Sequence, residues 1–358
     1  MSLFRSADTG EEAAAAREGK PNTRLASVLG WRPLPVERAS GSGLFARSAL
    51  LIFFLAVIGL FSGLEPHTFP TSATFITIVT SQTAPLMLAL PLMITFRLSD
   101  LDISFAAVMI LSSAVGAILI TAHHVPLAAA IPIILAIGLV AGLVNGCLVV
   151  LLKLPALIAT LGTLSLCEGA ALGITNQQVV SLSPKSPLVQ VLSNGPGGIP
   201  VGSLIAWGIF LVVWLTFEFT PFGRYLLFVG GNRRAAELLG LPVTYLRMLA
   251  YTVSALLYAA AGIVLMGMIG TVDPTSDTSY LLPPLAAVFL GTTVFQVGRF
   301  NAWGTILAIY TLAVITTGLE LFGLNAWVGD LFNGLALIAA ILLARFLTRG
   351  SSAAELRL

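Results

Sequence analysis

Apolar stretches of about 20 residues recur along the chain, and they limit what it can fold into. A helix rises about 1.5 Å per residue, so a stretch of this length crosses a hydrocarbon core about 30 Å thick. Hydrophobic residues make up 57% of the 358 residues and charged residues 9%, whereas about a quarter of an ordinary soluble domain is charged. We therefore predict an all-α fold, a polytopic helical bundle embedded in membrane lipid.

The apolar pattern predicts about ten transmembrane helices, separated by short polar joins or by joins rich in glycine and proline. Some joins are short, such as residues 97–100 and Lys153, so eight or nine spans remain as alternatives. The predicted spans are residues 48–64, 71–96, 101–121, 125–152, 154–174, 199–219, 247–270, 282–297, 301–321 and 326–346.

The basic residues indicate the orientation, because cytoplasmic loops of membrane proteins are enriched in Lys and Arg. With ten crossings and a cytoplasmic N-terminus, all of the 18 basic residues except Lys185 lie on the cytoplasmic side. We predict a disordered N-terminal tail (1–47), a membrane domain (48–346) and a C-terminal tail (347–358), with both termini cytoplasmic. The first 47 residues lack the apolar core of a cleavable signal peptide. The net charge of +2 does not indicate a nucleic-acid partner.

Small residues spaced four apart mark helix contacts in membranes. Gly138, Gly142 and Gly146 form two overlapping GxxxG units, and Gly169 with Gly173 forms another. Packing within one subunit is the simpler interpretation of both sets, and an interface between subunits is the alternative.

The largest predicted cytoplasmic loop, at about residues 220–246, contains the stretch FGRYLLFVGGNRRAAELLGLP with a short helical pattern. Asn232 can cap the helix, Arg233 and Glu237 can pair four residues apart, and Gly240 can end it. An isolated helix of two turns is marginal in water, so lipid, the rest of the bundle or another protein must hold it.

This loop resembles the coupling loop of permease subunits of ATP-binding-cassette (ABC) sugar importers, the ribose, xylose and arabinose group. Further stretches resemble the same family in the same order: RLSDLDISFAAVMILSSAVGA, GLVNGCLVVLLKLPALIATLGTLSLCEGAAL and LLPPLAAVFLGTTVFQVGRFNAWGTILAIYTLAV. The resemblance extends from about residue 48 to residue 346 and includes several motifs at the family's spacing.

The resemblance implies a pore-forming permease subunit in the bacterial inner membrane that imports a monosaccharide or related polyol. It implies a second permease copy or paralogue, separate ATPase subunits and a periplasmic sugar-binding protein as partners. The residues expected at the ATPase-coupling loop are Gly231, Asn232, Arg233, Ala235, Ala236, Glu237, Leu238 and Gly240.

The chain departs from the family pattern at two places. Where relatives commonly show Gly-Gly-Ile-Asp-Leu-Ser-Val-Gly, this chain has SDLDISFA, so the glycines are replaced by Ser99, Asp100 and Ala106. We expect this change to affect a tight turn. Glu168 stands where an arginine is usual, and we expect this charge reversal near the outer mouth to affect substrate or partner preference.

Hydroxyl and amide side chains in the predicted spans are candidates for lining a sugar pathway, namely Asn145, Thr160, Thr163, Ser165 and Gln82. Their alternative role is hydrogen bonding between helices or to the backbone inside the bundle. Asp102 and Ser104 lie at the start of the third predicted span, where a carboxylate is costly unless it is solvated or paired. We expect these two residues to cap the first helical turn or to take part in gating.

The sequence has no GxxxxGK[ST] phosphate-binding segment and no visible catalytic or metal-ligating set. We predict that the chain is not an enzyme and holds no cofactor or metal, and that ATP and Mg²⁺ bind the partner ATPase.

The chief alternative is an ion-coupled secondary transporter, which would need ionisable groups at mid-membrane. A membrane scaffold without transport activity is a third hypothesis. The sequence does not predict which sugar is carried.

Overall fold

The computed structural model describes residues 41–296, 298–325 and 327–355, and it describes side chains for residues 48–296, 298–325 and 327–343. The helices and strands are α1 Gly41–Leu64, α2 Ser72–Ser81, α3 Thr83–Arg97, α4 Phe105–Thr121, α5 Leu127–Gly146, α6 Ala156–Thr175, β1 Val180–Ser181, α7 Pro187–Ser193, α8 Val201–Phe219, α9 Pro221–Gly231, α10 Arg233–Leu238, α11 Val243–Ile269, β2 Thr271–Val272, α12 Leu282–Gly291, α13 Ala302–Leu321 and α14 Trp327–Glu355. Shorter segments are a π-helical extension of α5, Cys147–Leu151, and two 3₁₀ turns, Pro196–Gly198 and Ser276–Tyr280.

Each predicted span contains helix, so the prediction of a helical membrane protein is confirmed. Within the described residues, α5 with its extension, α6, α8, α11 and α13 are each long and apolar enough to cross a membrane. The pair α2 and α3, bent by 41°, is one further candidate, and apolar parts of α1, α4 and α14 are shorter. Ten crossings and the cytoplasmic location of both termini stay predictions.

Three predicted boundaries differ from the structure. The predicted second span, residues 71–96, is broken at Gln82 into α2 and α3. The helix in the predicted eighth span ends at Gly291, because the backbone there packs directly against the start of α13. Helix α14 continues to Glu355, past the predicted end of the membrane domain. Most of the predicted N-terminal tail, together with residues 297, 326 and 356–358, lies outside the described residues.

Helix α3 lies in the middle of the bundle. Every residue from Thr83 to Arg97 is buried, and the helix packs against α8, α11 and α12. A helix that is apolar around its whole circumference must be covered on all sides by other helices. Pro91 interrupts its backbone ladder, and the Ser254 hydroxyl of α11 donates a hydrogen bond of 2.9 Å to the Pro91 carbonyl.

Helix α5 crosses α11 closely, through the predicted glycine face. A Cβ atom added at Gly142 would lie 2.7 Å from the Thr252 Cα, and Gly138 and Gly146 face the same helix. The interpretation as a packing face within the subunit is confirmed for this set. It is wrong for Gly169 and Gly173, since no atom of another described helix or loop lies within 4 Å of a Cβ added at either residue.

Two loops at one end of the bundle, residues 176–198 and residues 271–280, pack against each other. Strands β1 and β2 pair antiparallel, with Val180 opposite Val272. The Leu182 N–H donates to the Gly270 carbonyl at 2.8 Å, and α7 packs against the last turns of α11, near Gly267. These loops therefore form a structured layer at one end of the bundle.

We expect Gly142→Ala to lower the free energy of unfolding by about 1–3 kcal/mol, because the added methyl group forces α5 away from α11. The matched control is Gly208→Ala on α8, where no atom lies within 4 Å of the added Cβ. The control should be neutral or slightly stabilising. Chemical denaturation in mixed micelles measures both, and equal stability of the two variants would refute the close crossing.

Candidate functional site

Helix α10 is a short helix with a defined beginning and end. The Asn232 side chain accepts a hydrogen bond of 3.0 Å from the Ala235 N–H, which confirms the predicted cap. At the other end, the Gly240 N–H donates to the Glu237 carbonyl at 2.9 Å, and Gly240 has a φ of 78°. This left-handed conformation favours glycine, and it ends the helix where the sequence predicts.

The apolar residues of this loop point in two directions. Leu238 is 84% exposed and Leu239 is 74% exposed, so together they form a ridge that the described chain leaves uncovered. Ala236 is 2% exposed and faces the bundle. Ala236 therefore supports the helix from below. Among the other predicted coupling residues, Arg233 also reaches the bundle, through Asp100, and the rest lie on the exposed side of the helix.

The predicted pair of Arg233 and Glu237 does not form, because Arg233 instead binds Asp100, with Nη2 lying 2.7 Å from Oδ1. Arg247 binds the same carboxylate through two hydrogen bonds, from Nε to Oδ2 at 2.9 Å and from Nη2 to Oδ1 at 3.0 Å. Asp100 is 3% exposed. An exposed pair four residues apart in a helix contributes only about 0.3–0.5 kcal/mol, so a buried carboxylate is the stronger partner. We call Asp100, Arg233 and Arg247 the arginine clamp.

Residues 97–100, which we call the inner corner, connect α3 to the segment before α4. The Arg97 guanidinium donates to the Phe300 carbonyl at 3.0 and 2.8 Å and lies 3.6 Å from the centre of the Phe217 ring. The Ser99 hydroxyl donates to the Gly230 carbonyl at 2.9 Å. A Cβ atom at Gly230 would overlap the Arg97 carbonyl oxygen. The inner corner therefore lies directly against the last turn of α9.

The expected effect on a tight turn is visible at Ser99, whose φ of 58° is in the region that glycine favours. A serine there is strained, and its hydrogen bond to α9 offsets part of that cost.

A buried polar network, made of Asp102, Ser104, Asn145 and Thr163, joins α4, α5 and α6. Asp102 Oδ1 accepts hydrogen bonds from the Ser104 N–H at 3.0 Å and the Ser104 hydroxyl at 2.7 Å. The Asn145 amide donates to the Ser104 oxygen at 2.9 Å, and the Thr163 hydroxyl donates to Asn145 Oδ1 at 2.6 Å. All four side chains are at most 5% exposed. Asp102 thus binds the residue at the cap position of α4 instead of a donor in its first turn.

The other pathway candidates lie in different surroundings. The Thr160 hydroxyl is 3.3 Å from both the Ile103 nitrogen and the Leu101 carbonyl oxygen, beside the buried polar network. Ser165 is exposed on α6, away from these contacts. Gln82 lies at the break between α2 and α3, where it lines a small pocket with Asn333. The structure therefore brings together three of the five candidates, Asn145, Thr160 and Thr163.

Sequence reasoning missed Tyr251 and Tyr258, which lie seven residues apart on one face of α11. Both side chains are fully buried, and the Tyr258 ring packs against Phe105 at the start of α4. Tyr258 lies near Asp102. In the described structure, however, neither its hydroxyl nor Asp102 Oδ2 has the geometry of a full hydrogen bond. The seven-residue spacing of Tyr251 and Tyr258 within a predicted span was the signal that the sequence offered.

At the predicted outer side, Glu168 lies near a second acidic residue, Asp277. Asp277 is in the 3₁₀ turn that follows β2 and is 5% exposed. Burial, and secondly the negative charge of Glu168, raise the pKa of the Asp277 carboxyl above its usual value. The charge reversal found in the sequence therefore places two carboxyl groups close together at this end.

The pH dependence follows from this raised pKa. The stability that protonated Asp277 contributes is fully present below the pKa of the unfolded chain, about 3.9, and is lost as the pH rises through the folded pKa. We expect Asp277→Asn to be more stable than the parent near pH 7, with a difference that shrinks as the pH falls towards about 4.

The control for this prediction is Asp273→Asn. Hydrogen bonds from Thr275 lower the pKa of exposed Asp273, so the charged carboxylate stabilises the fold. We therefore expect Asp273→Asn to be less stable than the parent near pH 7. Denaturation midpoints measured near pH 7 and near pH 4 check the prediction. If both substitutions changed the stability at pH 7 in the same direction, the prediction would be contradicted.

We also expect Asn145→Ala to lower the free energy of unfolding by about 1–3 kcal/mol, because Ser104 and Thr163 each lose a buried partner. Ser165→Ala on the exposed side of α6 is the control, with an expected change within about 0.5 kcal/mol. Both are measured by chemical denaturation in mixed micelles, and a neutral Asn145→Ala variant would show that the network does not stabilise the fold.

Several apolar helices of spanning length, packed around a buried polar network, define a multi-pass membrane protein. The chain belongs to the family described as branched-chain amino acid transport system, permease component, which matches residues 74–341. It is a permease subunit of an ABC importer.

Several relatives are similar over most of their length. A ribose import permease of Haemophilus influenzae is 27% identical over 299 residues, which cover 83% of this chain and 92% of the relative. A ribose import permease of Escherichia coli K12 is 28% identical over 317 residues, which cover 86% of this chain and 98% of the relative. An autoinducer 2 import permease of Enterobacter sp. strain 638 is 34% identical over 296 residues, which cover 81% of this chain and 84% of the relative. No solved structure matches this chain.

Proposed function

We propose that this chain imports a monosaccharide or related polyol across the bacterial inner membrane. In this proposal separate subunits hydrolyse ATP, a periplasmic binding protein delivers the solute, and a second permease copy or paralogue completes the pore. The family description names branched-chain amino acids, but ribose import permeases match most of this chain and nearly all of their own length. That extended similarity favours a sugar over an amino acid.

The chemistry of the bundle interior supports the same class of solute. Asn145, Thr160 and Thr163 are amide and hydroxyl groups gathered in one place. Neutral donors and acceptors of this kind match the hydroxyl groups of a polyol. We propose that these residues, with Gln82 and Ser165, line the pathway in other conformations of the transporter, and that Asp102 and Ser104 take part in gating.

The observation that carries the proposal is the exposed leucine ridge on α10. Exposed apolar side chains on a fixed element mark an interaction surface. The helix is held on its other side by Ala236 and by the bond from Arg233 to Asp100. A short helix that is anchored below and apolar above is suited to press into a groove on an ATPase subunit. We propose that Leu238 and Leu239 are its main contacts, with the exposed residues from Gly231 to Gly240 around them.

The test is Leu238→Asp, with Leu238→Met as the matched control. Burying a leucine side chain contributes about 1.5–3 kcal/mol, so its loss should weaken binding of the ATPase subunit about tenfold or more. The methionine control conserves the apolar contact and should bind as the parent does. Binding is measured by co-purification of the ATPase subunit at several protein concentrations, and ATP-dependent ribose uptake is measured in proteoliposomes.

Equal ATPase binding by the aspartate and methionine variants would refute the role proposed for the ridge. Uptake by vesicles that contain this chain alone, with an imposed ion gradient and no nucleotide, would instead support the ion-coupled secondary transporter. If the ATPase assembles but ribose is not taken up, ribose is refuted as the solute and the importer class stands. Failure of every monosaccharide and polyol in a tested panel would refute the sugar class.

A further inference from the structure

We propose that the arginine clamp transmits motion from α10 to the membrane core, so that Asp100 is a positioning residue for the coupling of ATP hydrolysis to transport. This inference rests on the proposed function, because it takes α10 as the element that an ATPase subunit moves.

The arginine clamp joins three segments at one carboxylate. Arg233 is the first residue of α10, Arg247 is near the start of α11, and Asp100 lies in the inner corner between α3 and α4. Arg233 Nη2 also donates to the Leu98 carbonyl at 3.1 Å, so it holds the inner corner at two points. Arg247 holds both carboxylate oxygens, which fixes the orientation of the carboxyl group.

The position of the carboxylate suits it to transmit a displacement. Asp100 is 3% exposed and Arg247 is 11% exposed, so salt and water screen their attraction less than they screen a surface pair. Charge-assisted hydrogen bonds between 2.7 and 3.0 Å hold a defined geometry. Arg233, which makes the bond from α10, is 42% exposed, but it is held to the inner corner at both Asp100 and the Leu98 carbonyl. A movement of α10 therefore pulls on the inner corner through these two bonds.

The inner corner continues without interruption into the buried polar network. Two residues beyond Asp100, Asp102 binds Ser104, and through Ser104 the contacts continue to Asn145 on α5 and Thr163 on α6. Residues 101 and 103 are also bonded to the Thr160 side chain of α6. The clamp thus connects the exposed helix to three membrane helices through its hydrogen bonds to Asp100, the backbone from Asp100 to Ser104, and the hydrogen bonds of the buried polar network.

The competing explanation is that the clamp is a static stabilising contact. Removing one partner from a buried ion pair often destabilises a protein, whatever the function of the pair. The two explanations differ in what is lost. A static contact affects folding and assembly, whereas a coupling contact affects the amount of solute moved per ATP hydrolysed in a transporter that is still assembled.

The test uses the complete transporter, with its ATPase and binding protein, in proteoliposomes supplied with ATP and labelled ribose. We expect Asp100→Asn and Arg247→Gln to retain the ATPase subunit and to continue hydrolysing ATP. Ribose imported per ATP should fall about fivefold or more, the lower end of ordinary coupling factors. The control is Arg224→Gln, which removes the same charge as Arg247→Gln from a residue of α9 outside the proposed ATPase contact; Arg224 is exposed and has no ion pair in the described structure.

A double variant tests whether the residues act together. Asp100→Asn combined with Arg247→Gln should import no less ribose per ATP than Asp100→Asn alone, because the side-chain bonds of Arg247 in the described structure are those to the Asp100 carboxylate, which Asp100→Asn has already weakened. If Asp100→Asn does not assemble, the variant Asp100→Asn/Arg233→Gln/Arg247→Gln replaces it, since that variant leaves no unpaired arginine at the site.

An unchanged ratio of ribose to ATP in Asp100→Asn would overturn the proposal. Loss of ATPase binding in both Asp100→Asn and the triple variant would also overturn it, and would assign the clamp a static role. These results are distinct from failure of the proposed function, which the Leu238→Asp comparison tests while the clamp is intact.

Discussion

Exclusion of water from the interior of the bundle is the constraint on which the rest of the structure depends, because each buried polar group must then find its partner inside the protein. Two carboxylates of one short segment meet this constraint in different ways. Asp100 is bound by Arg233 and Arg247. Asp102 is bound by neutral groups of Ser104, and one of its oxygens has no hydrogen bond in the described chain. The first arrangement fixes the segment, and the second leaves acceptor capacity in the core.

Features that depend on neighbouring residues could be predicted from the sequence. The helices follow from long apolar runs, the beginning of α10 from Asn232, and its end from Gly240. The contact between α5 and α11 follows from glycines spaced four apart. The gathering of Asn145 and Thr163 was partly predictable, because hydroxyl and amide side chains in neighbouring spans tend to bond to each other.

Features that depend on distant segments could not be predicted in this way. The local spacing of Arg233 and Glu237 favours a pair, but a buried carboxylate 133 residues earlier in the chain is the actual partner. The proximity of Glu168 to Asp277 likewise depends on the arrangement of two segments that are far apart in the sequence. In both cases long-range packing overrides the local pattern. The break at Gln82, by contrast, has a local signal, because it lies in the polar stretch TSQT at residues 80–83.

The inner corner shows how the departure from the family pattern changes the physics of this region. Glycines at positions 99 and 100 would supply a flexible turn without side-chain bonds. Here Ser99 takes the same left-handed conformation and binds the Gly230 carbonyl, and Asp100 binds two arginines. A turn that glycine would leave free is therefore tied to α9, α10 and α11. Because Arg233 and Arg247 share the Asp100 carboxylate, the acid and both arginines must be considered as one unit, and a substitution at one of them changes the environment of the other two.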